Sequence, residues 1–433
     1  MKTVKLLVSL GFLFTVCGLG KAQINPQFDP LPANFNVNSP NPVYALDIEY
    51  DTDDPNRQAF HLFLPDTIGT YPLVIFTHGG GFTGGSRDGV LVDPGRMADI
   101  KFYLENGIAY ASMGYRLLTT NQPDTVGVIK CLNDSKRGLQ FIRHHASDLH
   151  IAPETIALTG TSAGAGTSLW MATRNDMADP NSPDPVLQQS TRVCAVGMGA
   201  SQSTYDLYKW ESLVYQNYDG QGSNYTVDSM VNDLGFPLFS SFYGGVDSNY
   251  HFLYDPALIQ YREDVDMLFH MSSDDPPIYF RNGSGATHPS QDLYHHSRHG
   301  VVLNDAALQA GLPEVRADIP AQGINTTQGE SLNDFILRHI NNCALTTGVE
   351  LEAEKPDLTV YPNPARADFT VQLEGGGVIS LVQVFSLSGE LVYEQRGSSE
   401  QVKVSTELMT SGIYLLRALD REGEVWHEKV MVE

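Results

Sequence analysis

The sequence predicts an α/β fold over its longer N-terminal part and a small all-β module behind it. Three observations carry this expectation. Two apolar, β-branched runs each empty into a glycine-rich turn, and one of those turns opens into an apolar helix. Near Leu351-Glu352-Ala353-Glu354-Lys355-Pro356 the composition shifts. Past that point helical spacing gives way to short alternating segments separated by Gly and Ser.

At the N-terminus, Lys2 and Lys5 precede an apolar run from Leu6 to Cys17, and Gly20-Lys21-Ala22 then sets small residues at the −3 and −1 positions of a cut before Gln23. Residues 1–22 thus read as a secretory signal, too short to serve as a membrane span. Cys17 has a poor lipoprotein lead-in, Phe14-Thr15-Val16, so cleavage before Gln23 is preferred. Further on, Asp51-Thr52-Asp53-Asp54-Pro55-Asn56 lacks the glycine and distal Glu of a calcium loop and reads as a hairpin turn.

Leu73–Thr77 is a buried-strand run, followed directly by His78-Gly79-Gly80-Gly81-Phe82. Successive glycines bring bare backbone N–H groups close to a substrate carbonyl oxygen. The negative charge that develops there in acyl transfer is stabilised by roughly 3–4 kcal/mol per donor. His78 belongs to this loop as a support. Downstream, Pro153–Leu158 is a short strand, and Ala165 to Thr173 has the small and apolar content of a buried helix. Between them lies Gly160-Thr161-Ser162-Ala163-Gly164. A serine on a tight strand-to-helix turn needs glycines two residues either side, so that the chain can turn and the hydroxyl stay exposed. The helix start adds an N–H and a positive dipole end beside it.

The stretch from Pro72 to Arg174 resembles an α/β-hydrolase of the esterase–lipase type, near the hormone-sensitive-lipase and acetyl-esterase branch. Ala111-Ser112-Met113-Gly114-Tyr115-Arg116-Leu117 is similar to the strand that follows the oxyanion loop in that family, and Asn133 to Arg143 to the helix before the nucleophile strand. The resemblance implies a mostly parallel sheet with helices on both faces, Ser162 as nucleophile, and the N–H groups of Gly80, Gly81 and Ala163 as oxyanion donors. It implies a carboxylic-ester hydrolase acting by acyl transfer on a small-molecule or glycan ester; export and an aromatic insertion favour acetyl or feruloyl esters of polysaccharides. A serine peptidase of the same fold and a degenerate binding protein are the alternatives.

The base and acid do not stand where that family keeps them. After the strand Ile278-Tyr279-Phe280-Arg281 and Gly283, the usual acid position holds Ala286, and no histidine occurs between His299 and His339. The loop Thr287–His299, just after that strand, holds four histidines and Asp292. Its expected place is the carboxyl end of the sheet, beside the nucleophile. His295, then His296, then His288 are the candidate bases. Adjacent residues point different ways, so only one of the first two reaches Ser162. Asp292 is the candidate acid, with Asp206 across the pocket as the other choice. A metal held by His288, Asp292 and His296 lacks a recognisable frame, and no cofactor or metal is expected. Asp134 reads as a helix cap or a structural carboxylate.

Between Val193–Met198 and the strand at 278 lies an insertion over about 201–268, rich in Tyr, Phe and Trp, which reads as a lid over the pocket. The net charge of −24 argues against nucleic acid and anionic membranes as partners. No stable membrane insertion is expected. With the signal removed, Cys131, Cys194 and Cys343 remain, which allows one internal disulfide in three possible pairings.

Beyond the linker 349–356, short strands at Phe369–Leu373, Ile379–Phe385, Leu391–Glu394, Val402–Val404, Ile413–Ala418 and Glu428–Val432 read as a small β-sandwich. The order Val360-Tyr361-Pro362-Asn363-Pro364, Val384 to Gly389 and Ser411 to Leu416 resembles the type IX secretion C-terminal sorting domain over 357–433. That resemblance implies export by the type IX secretion machinery to the cell surface or beyond. The expected organisation is a signal over 1–22, a hydrolase domain over 23–348, the linker and the sorting module.

Overall fold

The computed structural model describes residues 23–119, 124–216, 225–245, 256–347, 358–373, 378–386, 391–407, 409–420 and 425–432. The stretches expected to be a secretory signal, 1–22, and a linker, 349–356, lie outside the described residues. The chain divides into two compact units, Met1–Thr347 and Gly348–Glu433.

In the first unit a ten-stranded sheet runs through β1 (Asp29–Pro30), β2 (Val43–Glu49), β3 (Ala59–Leu64), β4 (Tyr71–Thr77), β5 (Ala109–Met113), β6 (Ile151–Thr161), β7 (Val196–Gly199), β8 (Ile278–Arg281), β9 (Val315–Ile319) and β10 (Ile324–Asn325). Their spatial order is β1-β2-β3-β5-β4-β6-β7-β8-β9-β10. From β5 through β9 every neighbouring pair is parallel, while β1 to β3 and β10 add antiparallel edges. This is the α/β-hydrolase arrangement.

Burial of both faces explains the continuous apolar strands. Along β4, Leu73 and Ile75 point into one core, and Val74 and Phe76 into the other. The first core also takes Leu139 and Ile142 from the helix Val128–His144, and Leu169 from the helix Ala163–Thr173. The second takes Ile100 and Leu104 from the helix Pro94–Glu105, and Phe335, Ile336 and Ile340 from the helix Leu332–Thr347.

Strand register sets the site. Thr77 pairs with Gly160, Thr161 with Gly199, and Gly199 with Arg281. The carboxyl ends of β4, β6, β7 and β8 are therefore level, and the loops leaving them open side by side. β5 stops at Met113, short of the expected Leu117. Any side chain at Gly114 would meet the carbonyl oxygens of Arg57 and Ala59 at 2.5 and 2.9 Å, and the chain turns away there.

The segment after β7 forms the helices Leu207–Lys209, Val227–Leu234, Phe236–Phe242, Pro256–Asp264 and Met267–His270, with a π-helical turn at Trp210–Val214. Two buried carboxylates tie it together: Asp206 takes a bidentate pair from Arg262 at 2.9 and 2.9 Å, and Asp266 pairs with Lys209. Cys194 and Cys343 form a disulfide, and Cys131 is free and buried. Among the described residues no helix is long and apolar enough to cross a membrane.

The second unit has a three-stranded sheet of β11 (Leu358–Tyr361), β12 (Asp368–Leu373) and β15 (Gln401–Ser405). A four-stranded sheet joins β14 (Leu391–Ser399), β13 (Ile379–Ser386), β16 (Gly412–Asp420) and β17 (Val425–Val432). The pairings between these strands are antiparallel. Phe369, Val371 and Val404 of the first sheet share one core with Val382, Val384, Leu416 and Val430 of the second, as in a sandwich.

Candidate active site

Ser162 sits at the turn between β6 and the helix Ala163–Thr173, with φ 55°. A left-handed backbone is costly for a side-chain-bearing residue and is kept where the surroundings impose it. The two flanking glycines impose it by close approach. A Cβ on Gly160 would lie 2.3 Å from the Gly164 carbonyl oxygen, and one on Gly164 would lie 2.0 Å from that of Thr77. Nothing larger fits at either place.

Ser162 Oγ is 2.8 Å from His295 Nε2. On the far side of the imidazole, Nδ1 is 3.1 Å from Asp292 Oδ1. The backbone N–H of His295 donates to the same oxygen at 3.1 Å. The second carboxylate oxygen, Oδ2, accepts from Ser284 Oγ at 2.8 Å. Both His295 and Asp292 belong to the single loop that leaves β8, and both are about one-third exposed, at 34% and 29% of the side chain. A hydroxyl, an imidazole and a carboxylate thus form one chain of hydrogen bonds, the order that a serine nucleophile, its base and an orienting acid require.

The remaining polar candidates have other partners. His296 is buried, caps the helix Ser297–Ala310 by accepting from the Arg298 N–H at 3.2 Å, and stands edge-on to Tyr215. Burial lowers its pKa. His288 is exposed and caps the short turn Pro289–Gln291 by accepting from the Ser290 N–H. His299 lies fully buried against Ser203, Tyr215 and Trp210, and burial brings its pKa down to about 3. Asp206 is paired with Arg262 inside the lid, away from the imidazole. Asp134 is buried mid-helix and holds Arg116 and Gln58, so it is a structural carboxylate and not an N-cap.

In the loop after β4, His78 stacks on Tyr115, with ring centroids 4.3 Å apart, and Tyr115 donates its hydroxyl to the His78 carbonyl at 2.9 Å. Burial lowers the His78 pKa to about 4, which keeps this support uncharged at neutral pH. Gly81 and Ala163 line a cleft with Ser162, whereas Gly80 is exposed and outside that lining. The N–H groups of Gly80, Gly81 and Ala163 find no acceptor among the described residues. Tyr205, whose hydroxyl donates to the Ala163 carbonyl at 2.6 Å, fixes the helix start. The cleft encloses about 460 Å³, part of it open to solvent, and Phe82, Tyr205, Trp210, Leu238, Phe239 and Phe242 make its walls apolar.

Sequence reasoning missed Ser284, Tyr115 and Tyr205. Tyr115 stood in the quoted strand motif, but its support of the His78 loop appears only once the chain turns at Gly114. Ser284 carried no signal beyond lying between β8 and the histidine-rich loop.

Residues 60–219 match the BD-FAE family model. The chain carries a BD-FAE domain of the α/β-hydrolase esterase family. Residues 359–433 match the secretion system C-terminal sorting domain, so a type IX sorting module follows the BD-FAE domain. The BD-FAE match contains Ser162, Gly80 and Gly81 and ends before the loop that bears Asp292 and His295. Among curated proteins, the ulvan lyase NLR42 of Nonlabens ulvanivorans is 32% identical over 74 residues, which are 17% of this chain and 14% of that protein. The chain therefore spans a small part of that relative's length. Among solved structures, esterase B from Lactobacillus rhamnosis is 17% identical and covers 70% of this chain and 88% of its own, with a TM-score of 0.47. A truncated carbohydrate esterase from gut microbiota is 15% identical, covering 69% and 96%, also at 0.47.

Proposed function

We propose that the protein is an exported serine carboxylic-ester hydrolase working through Ser162, with His295 as base and Asp292 as orienting acid. The hydrogen-bonded chain Ser162–His295–Asp292, at 2.8 and 3.1 Å, carries this reading. Because Nε2 must accept the serine proton, the Nδ1 hydrogen is the one facing Asp292, and the carboxylate stabilises that tautomer.

Ser162 Oγ attacks the ester carbonyl carbon while its proton passes to His295 Nε2. The oxygen that gains charge is met by N–H groups of the His78 loop and of Ala163, at roughly 3–4 kcal/mol per donor. The carbon–oxygen bond to the alcohol breaks as the imidazolium returns its proton to the leaving oxygen. Water then attacks the acyl-serine, again giving a proton to His295, and the acid departs with Ser162 restored. The apolar cleft beside Gly81 and Ala163 suits an acyl group, and acetyl or feruloyl esters of polysaccharides are the substrates we favour. Residues 23–348 form the hydrolase, and the signal over 1–22 together with the sorting module over 357–433 directs export to the cell surface or medium.

Hydrolysis of 4-nitrophenyl acetate and methyl ferulate by the purified chain tests the reading. The proposed reaction requires turnover of at least one of them and its loss in Ser162→Ala. Equal rates for the two proteins exclude Ser162 as nucleophile. A folded wild type inert toward both esters turns the interpretation to a binding protein.

A further inference from the structure

A second cleft lies at the same end of the sheet, between the carboxyl ends of β6, β7 and β8 and the helices Pro94–Glu105 and Leu332–Thr347. It encloses about 1130 Å³, including space open to solvent, enough for a sugar ring and far more than a single ion occupies. Gly160 and Thr161, which precede the nucleophile, form part of its wall, as does Gly283, next to the Ser284 that holds Asp292.

Its polar groups are unbalanced toward donors. Tyr110 is fully buried in the cleft wall beside Arg96, and its hydroxyl proton finds no acceptor among the described residues. A buried hydroxyl proton left unpaired is costly, and a ligand acceptor that reaches it recovers that cost. The helix Leu332–Thr347 begins in the cleft wall, and the N–H groups of Leu332 and Asn333 in its first turn find no acceptor among the described residues. Arg281, with 68% of its side chain exposed, adds spare guanidinium donors beyond its 3.3 Å pair with Asp318. The carboxylate in the wall is already engaged. Asp99 Oδ2 pairs with Arg96 at 2.9 Å, and Oδ1 accepts from Asn333 Nδ2 at 2.8 Å. What this cleft lacks is an acceptor-rich ligand.

We propose that the cleft binds an acidic sugar, with its carboxylate or sulfate oxygens against Arg281 and the first turn of the helix Leu332–Thr347, and a further oxygen accepting from Tyr110. Guanidinium groups and helix N-termini favour oxyanions by charge and by geometry. On a chain of net charge −24 such a gathering of donors stands out. The site requires no turnover and goes beyond the esterase reading.

Titration of the full chain with sodium glucuronate and with glucose 6-sulfate, followed by calorimetry or ligand-detected magnetic resonance, tests the assignment. At least one acidic sugar should saturate, about tenfold tighter than glucose or inorganic sulfate. Which of the two does so identifies the oxyanion as carboxylate or sulfate. Arg281→Ala and Tyr110→Phe should each weaken that binding by about 3- to 10-fold. Arg281 is mostly exposed and Tyr110→Phe keeps the ring, so neither change should prevent folding. The proposal is overturned if neither acidic sugar saturates, if inorganic sulfate binds as tightly, or if both variants bind like the wild type. Because free sugars need no cleavage, binding without any ester hydrolysis removes only the esterase reading, and hydrolysis without binding removes only this one.

Discussion

Asp292 Oδ1 accepts two hydrogen bonds from His295, one from the backbone N–H and one from Nδ1, each 3.1 Å long. The pair lies three positions apart, so a single turn of loop sets both the position of the imidazole and its tautomer. The loop after β9, with Gly323 at its turn, contributes no histidine.

Asp292→Asn should test that double role. The amide oxygen can still accept from the His295 N–H, so the loop should keep its shape while the preference for the Nδ1-protonated tautomer is lost. We expect kcat on 4-nitrophenyl acetate to fall by about 10²- to 10⁴-fold, with a smaller change in KM. A rate within about twofold of wild type would remove Asp292 from the mechanism.

Ser284 acts through Asp292 as a positioning residue. Ser284→Ala removes the 2.8 Å bond to Oδ2 and frees the carboxylate to rotate. A drop in kcat of about 3- to 10-fold, at nearly constant KM, is expected. Ser284→Thr, which keeps the hydroxyl, should restore most of it. A change in KM alone, or no rescue by Thr, would mark Ser284 as merely part of the loop.

Much of the site was legible because its geometry demands particular residues. Gly160 and Gly164 are fixed by carbonyl oxygens 2.3 and 2.0 Å from any added Cβ, so the serine between them stood out in the sequence. The histidine cluster was visible too, but choosing within it was not secure from sequence. His295 faces Ser162 because His296 is taken up by Arg298 N–H and Tyr215, partners that only the fold supplies. Asp206 stood as the other choice of acid, yet Arg262, 56 residues away, claims it. For the same reason Cys194–Cys343 could not be singled out from three pairings. It joins the segment just before β7 to the end of the helix Leu332–Thr347. The strand β11 was not among the strands read from the sequence, where Val360-Tyr361-Pro362-Asn363-Pro364 served only for the resemblance.

Buried neutral histidines give stability a pH dependence with a definite sign. His78 and His299 have pKa values of about 4 and about 3 in the fold, against about 6.5 in an unfolded chain. Below about pH 6.5 the unfolded chain takes up protons that the folded one refuses. Stability therefore falls as pH falls, by roughly 1.4 kcal/mol per pH unit for each histidine, and levels out beneath the folded values. Asp275, raised to about 6 by burial, works in the opposite direction over part of that range. Comparison with His299→Gln cancels such shared contributions. From about pH 6 to about pH 5 the wild type should lose roughly 1 kcal/mol more than the variant in urea unfolding. Parallel pH profiles would show that His299 is not held neutral.

The disulfide closes a loop spanning 149 residues within the first unit. Cys343→Ser should lower its unfolding free energy by about 2–5 kcal/mol, read by urea denaturation. Peptide mapping of the non-reduced wild type should recover Cys194 linked to Cys343, with Cys131 unlinked. A linkage through Cys131 would contradict the pairing.

The central claim is that His295 activates Ser162, and covalent labelling by a fluorophosphonate probe tests it most directly. The reagent reacts with a serine whose proton is being withdrawn, whether or not the natural ester is known. Mass spectrometry should locate the adduct at Ser162 in the wild type and in His288→Ala, whose imidazole is exposed and caps a separate turn. In His295→Ala the labelling rate should fall by at least about 10²-fold. Labelling of His295→Ala as fast as wild type, or no adduct at Ser162 in the folded wild type, would contradict the account.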